Sequence, residues 1–244
     1  MRITDPEAAA FFRGLIFGPP GGGKTHLLGS AGEDERASPI LILASDKGVT
    51  TLVGRPGVKV ALMRDWKDYS EAFEELDNPD TPWKSFGVDS LSETQVGGLF
   101  NLLEQAPPEG RRPAPDVITQ SEWGVIKVQM SRLVRRFLEL PLHSFWTALE
   151  TDDLDRVEGK VKTPFLQGSF AKDLPGIFDI VGYLGHDEEP DENGDEVQLL
   201  LLRNWPGYRV KARTPFGLTP PDALRNPTVT KILDELGYKE SKKK

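Results

Sequence analysis

The chain has 244 residues, 38% hydrophobic and 28% charged, a globular composition that excludes a disordered or fibrous protein and leaves room for one large domain. It has no Cys and only three His (His26, His143 and His186), which excludes disulfides, thiolate metal sites and cysteine nucleophiles and argues against a zinc centre. The net charge of −8 is concentrated, because Asp187, Glu188, Glu189, Asp191, Glu192, Asp195 and Glu196 contribute −7 and leave −1 elsewhere, so it says little about partners.

Along the chain, short apolar runs alternate with helical patterns, the signature of an α/β protein. Gly14 to Gly18 reads as a strand that enters a glycine-rich segment, and a helix begins at Thr25. Strands are expected over Ile40 to Ala44, Val58 to Met63 and Phe86 to Asp89, with helices over Trp66 to Leu76 and Leu91 to Glu104. Four prolines between Ala106 and Pro115, around Arg111 and Arg112, interrupt the pattern. Trp123, Ile126, Met130, Leu133, Phe137 and Leu140 then step by three and four along one helical stripe, which is a core face. His143 to Leu149 is a strand, Thr151 to Phe170 a long polar loop or hairpin, and Asp173 to Phe178 a short helix or turn. Ile180 to Leu184, Val197 to Arg203 and Tyr208 to Ala212 are consecutive strands joined by hairpins, one with a solvated acidic tip at Asn193-Gly194, so the sheet finishes antiparallel. Thr228 to Leu236 closes the chain as a helix. One domain is expected over residues 1–238, followed by a basic tail over 239–244. No apolar run approaches the ~20 residues of a membrane span and no signal-peptide pattern is visible, so a cytoplasmic protein without a membrane partner is expected.

Gly18-Pro19-Pro20-Gly21-Gly22-Gly23-Lys24-Thr25 matches G-x-x-x-x-G-K-[ST] between a strand and a helix. Glycines let successive N–H groups curl around phosphates, Lys24 adds a charge for the outer phosphates, and the Thr25 hydroxyl suits Mg²⁺. His26 extends the nucleotide-binding run, and ATP with Mg²⁺ is the expected cofactor pair. Asp89, closing Phe86-Gly87-Val88-Asp89, fits the second acid that holds the metal's hydration shell; Ser90 and Ser92 compete with it as helix caps. Asp46 and Glu150 also follow apolar strands and are candidates to activate water, although each reads equally well as a loop residue or helix cap.

The order of these parts, with the long helix at Gln120-Ser121-Glu122-Trp123-Gly124 and a late Lys211-Ala212-Arg213, resembles the RecA-like ATPases of bacteriophages, in particular the Sak-type single-strand annealing proteins. The likeness runs from Arg13 to Leu236 and includes Asp173-Leu174-Pro175 and Phe178 to Tyr183. It implies a RecA-like core, a mostly parallel sheet with helices on both faces, and DNA-stimulated ATP hydrolysis. It further implies assembly as a filament or ring on single-stranded DNA during phage recombination in the host cytoplasm, with a single-strand binding protein as a candidate partner. By the same resemblance, Asp46 occupies the position of a catalytic acid that is usually Glu, and Lys211 and Arg213 match cations that reach a neighbouring subunit's nucleotide. Arg209, Lys211 and Arg213 alternate and so share one face of an extended strand, a pattern that also suits a guarded sheet edge. The resemblance places DNA contacts in Glu150 to Phe170 and Leu91 to Ile118. Arg156, Lys160, Lys162 and Lys172 with Phe165 and Phe170 supply cations and aromatics there, and Arg111 and Arg112 come next. The alternatives are a nucleotide-gated DNA-binding protein with little turnover, or a motor or loader acting on another replication protein.

Overall fold

The structure is a computed structural model that describes residues 11–46, 48–104, 118–168 and 170–238, with side chains at all of these except 99–104 and 172. Arg111, Arg112, the Lys172 side chain and the tail 239–244 therefore lie outside the described residues.

Buried apolar runs form the central strands. β1 (Arg13–Gly18), β2 (Ile40–Ala44), β3 (Val58–Leu62), β4 (Ser85–Asp89), β5 (His143–Asp155) and β7 (Ile180–His186) lie parallel in the order β7-β1-β5-β4-β2-β3. On the other side of β7, the antiparallel strand β8 (Gln198–Leu201) takes its C-terminal half and β9 (Lys211–Ala212) its N-terminal half, and β10 (Ala223–Arg225) pairs with β8. β6 (Gly159–Pro164) folds back on the outer part of β5. These ten strands make the expected α/β core, mostly parallel with antiparallel strands toward the C-terminus.

Side-chain alternation divides the core in two. Leu15, Phe17, Leu41, Leu43, Phe86 and Trp146 face α2 (Trp66–Leu76), α4 (Gln120–Leu138) and α5 (Phe170–Ile177), whereas Ile16, Ile40, Ile42 and Phe145 face α1 (Lys24–Gly29) and α6 (Val229–Glu235). α3 (Leu91–Glu104) follows β4 directly. Trp146, fully buried, meets Phe86, Phe137 and Phe178 edge-on at centroid distances of 5.8, 6.2 and 5.8 Å. The stripe predicted from Trp123 onward is this core face of α4, whose first turn is closed by a reciprocal Thr119–Glu122 capping box.

Several expectations are corrected. β5 does not stop at Leu149: it runs to Asp155 and pairs with β6 from Glu150↔Pro164 to Asp155↔Gly159, so of the loop or hairpin expected beyond Leu149 it is the hairpin that forms, and its first arm continues the strand. The strand expected over Tyr208 to Ala212 shrinks to Lys211–Ala212, because the chain first bonds the hairpin and only then reaches β7; Lys162 N donates to Gly207 O and Arg209 N to Lys162 O. Arg209, Lys211 and Arg213 therefore do not share a strand face. Arg209 turns to Asp155 at 3.3 Å, and Arg213 lies 4.0 Å from Asp179. Phe170 is also no stacking platform, since it is buried in the core at the start of α5.

Candidate nucleotide-binding site

β1 delivers the chain to the C-terminal edge of the sheet, where the glycine-rich loop turns into α1. A Cβ on Gly18 would stand 2.1 Å from Leu184 O, so glycine is what allows β1 and β7 to pack this closely. Gly21 and Gly23 have φ of 75° and 87°, the left-handed region that favours glycine. α2 begins with a side-chain capping box, but α1 has none. Lys24 is a buried residue, and its ammonium folds back to donate to Gly18 O at 2.9 Å and Pro19 O at 2.7 Å. Burial lowers its pKa, and the nearby Asp89 and Glu150 carboxylates oppose that shift. A buried amine flanked by two acids and ringed by backbone suits a polyphosphate, which would supply the counter-charge the loop lacks.

Asp89 ends β4, separated from the β1 loop by the single strand β5. Its two oxygens are held by hydroxyls from both sides: Thr25 Oγ1 donates to Oδ2 at 2.6 Å and Thr147 Oγ1 to Oδ1 at 2.5 Å. A carboxylate and a hydroxyl in direct contact fit an Mg²⁺ ion that keeps most of its ligands as water and phosphate oxygen.

The remaining predicted residues divide by location. Glu150 sits where β5 leaves the core, its Oε1 on Lys162 Nζ at 2.5 Å and Tyr183 beside it. The bond to Glu150 raises the Lys162 pKa, while burial and Glu150 push the Tyr183 phenol well above its usual range. Asp46 lies two residues past the β2 residue Ala44, which is in register with Asp89. Its Oδ1 accepts from Gly48 N at 2.6 Å, and it lines a cavity of about 430 Å³ with Arg64, Tyr69 and Glu93. His26 is exposed on α1 with its ring nitrogens 2.8 and 3.0 Å from the Arg55 guanidinium. Lys160 pairs with Asp152 at 2.8 Å, Arg156 lies exposed near the hairpin tip, and Phe165 is half-buried, its carbonyl accepting from Ser92. Lys211 and Arg213 stand at the other end of the sheet, beside the N-terminal half of β7, where burial and then Arg213 lower the Lys211 pKa.

Sequence reasoning missed Thr147, Ser92, Tyr183 and Gln198. Thr147 had a signal, a lone hydroxyl inside Phe145-Trp146-Thr147-Ala148-Leu149. Gln198 had none, because only the antiparallel register of β8 brings its Nε2 to Gly22 O at 3.3 Å.

No curated protein matches this chain. Among solved structures, 135 chains match. One of them is an ATPase from the type III secretion system of pathogenic bacteria, at 15% identity and a TM-score of 0.45, over 72% of this chain and 51% of that one. The chain thus spans about half the length of that relative. The family model described as an AAA domain matches residues 10–214, nearly the whole of the sheet built around the phosphate loop. The chain belongs to this AAA domain family of P-loop ATPases.

Proposed function

We propose that the protein is a RecA-like ATPase that binds ATP with Mg²⁺, assembles as a homo-oligomer on single-stranded DNA and promotes annealing or recombination in phage DNA metabolism, as the resemblance to Sak-type proteins implies. The observation that carries this reading is the Glu150–Lys162 ion pair. It ties an acid facing the phosphate loop to a cation of the hairpin that would meet the DNA, so that one contact spans both sites. The hairpin also leaves a groove of about 660 Å³ against α5, with Arg156 and Arg209 on its wall. At the opposite end of the sheet, Lys211 and Arg213 lie away from their own phosphate loop, which suits a role in a neighbouring subunit's site.

One observation favours the reading with little turnover, in which nucleotide only gates DNA binding. Both candidate acids are engaged, Asp46 by Gly48 N and Glu150 by Lys162. Moreover, between Glu150 and Pro164, Arg156, Lys160 and Lys162 face five acids, Glu150, Asp152, Asp153, Asp155 and Glu158. DNA would therefore have to exchange these partners for phosphates. ATPase rates with and without single-stranded DNA, together with micrographs of the protein with ATP and DNA, test the proposal. DNA stimulation and ordered assemblies support it, whereas a negligible, DNA-independent rate in a protein that still binds DNA with ATP selects the gating reading. Wild-type ATP affinity and turnover in Lys24→Ala would remove the nucleotide site itself.

A further inference from the structure

Gln198, the first residue of β8, lies directly on the phosphate loop. Its Nε2 donates to Gly22 O at 3.3 Å, and a Cβ on Gly23 would come within 1.9 Å of the same nitrogen. The backbone of Gln198 is fixed independently of the loop. Gln198 N donates to Asn226 Oδ1 at 3.0 Å and Asn226 N to Gln198 O at 2.7 Å, just beyond β10.

What this amide holds is one peptide plane. The plane before it is pinned by Gly22 N donating to Pro19 O at 3.1 Å, and the plane after it by Leu27 N donating to Gly23 O at 2.8 Å. The Gly22–Gly23 plane lies between them, with glycine on both sides and no Cβ to resist its rotation. In a trans peptide the carbonyl and the N–H point in opposite directions, so whatever captures the carbonyl also aims the N–H. We propose that Gln198 is a positioning residue for nucleotide binding: by taking the Gly22 carbonyl on the outer side, it turns the Gly23 N–H toward the inner side of the loop, where a nucleoside polyphosphate would accept from it. This rests on the loop being the nucleotide site.

The test is equilibrium binding of Mg·ATP, with KM and kcat, for Gln198→Leu, Gln198→Lys and Gln198→Glu beside Lys24→Ala. Leu keeps the bulk and loses the donor, so ATP affinity should fall about threefold to tenfold, the scale of one hydrogen bond, with KM rising and kcat at saturation nearly unchanged. Lys keeps a donor and should retain wild-type affinity. Glu places an acceptor against the carbonyl and a negative charge near the phosphates, and should weaken binding most. A merely structural role would lower thermal stability in all three alike without this ordering in KM. If Gln198→Leu loses stability, Gln198→Met, unbranched, uncharged and without the donor, still decides: a raised KM upholds the positioning role and a wild-type KM overturns it. Wild-type affinity in both Leu and Glu variants, while Lys24→Ala fails to bind, overturns the positioning role and leaves the site standing. Wild-type affinity in Lys24→Ala as well overturns both.

Discussion

Asp46 and Glu150 differ in what must release them before either could activate water. Asp46 is held by a backbone N–H that a loop movement can withdraw, whereas Glu150 is held by a lysine whose own charge it stabilises. If Asp46 is the base, Asp46→Asn keeps ATP binding and loses roughly 10²-fold or more in turnover, the scale of general-base loss. The same loss in Glu150→Gln with Asp46→Asn unaffected assigns the role to β5. His143 makes a prediction about stability. It is buried on β5 and its Nδ1 accepts from Phe12 N–H at 2.9 Å, so the fold needs it neutral. Burial pushes its pKa down to about 4; Asp34 opposes the shift and Arg36 adds to it. Because the folded pKa lies below the unfolded value of ~6.5, the unfolded chain binds the extra proton between these pH values. Stability is therefore complete above ~6.5 and falls as pH drops toward 4, by about 3 kcal/mol in total. Urea unfolding between pH 7 and 4.5 should show this slope, and His143→Gln should flatten it. At this scale the phosphate loop and Asp89 were legible, because each is a local pattern ending a strand. The Thr147 hydroxyl on Asp89 and the Gln198 amide on Gly22 were not, since residues 58 and 176 positions apart in sequence make those contacts.

The β5–β6 hairpin shows why an element's length can escape sequence. Beyond Leu149 the chain turns polar, and Thr151-Asp152-Asp153-Leu154-Asp155 has no apolar alternation to mark a strand. What extends it is cross-strand pairing, with Asp152 opposite Lys162, Lys160 bonded to Asp152, and Gly159 at φ 77° making the turn. Three central elements, Ile40–Ala44, Trp66–Leu76 and Leu91–Glu104, have the bounds expected from the sequence. Tyr208 to Ala212 does not, because its backbone bonds are divided between β6 and β7. If the hairpin cations track DNA phosphates, log K for single strands falls with log salt by about 0.7 per contact. Neutralising Lys160 and Lys162 together should flatten that slope. An unchanged slope moves the DNA site away from the hairpin. If Glu150 rather than Asp46 is the base, Lys162→Ala alone should also raise turnover without DNA, since it unties Glu150.

Across the whole molecule, the sheet separates two ends of one strand. The C-terminal half of β7 pairs with β8, which carries Gln198 to the phosphate loop, and its N-terminal end lies beside Arg213. If Arg213 completes a neighbouring subunit's site, as proposed, specific activity should rise with protein concentration. Arg213→Ala should bind ATP yet lack turnover, and mixing it with Lys24→Ala should recover activity at interfaces that combine an intact Lys24 with an intact Arg213. A mixture that stays inactive, with wild-type activity independent of concentration, assigns Arg213 to its own subunit or to the strand edge. Finally, β5 is rooted in the sheet through Leu149 and then projects with β6 as its only strand partner for Glu150 to Asp155, roughly 17–20 Å at 3.3 Å per residue. Its outer edge is tied back to the next segment, Lys162 N donating to Gly207 O, Arg209 N to Lys162 O, and Arg209 pairing with Asp155, so the hairpin is braced along its length before anything binds it. If the hairpin is where DNA binds, that binding carries no heat-capacity signature of coupled folding in this segment.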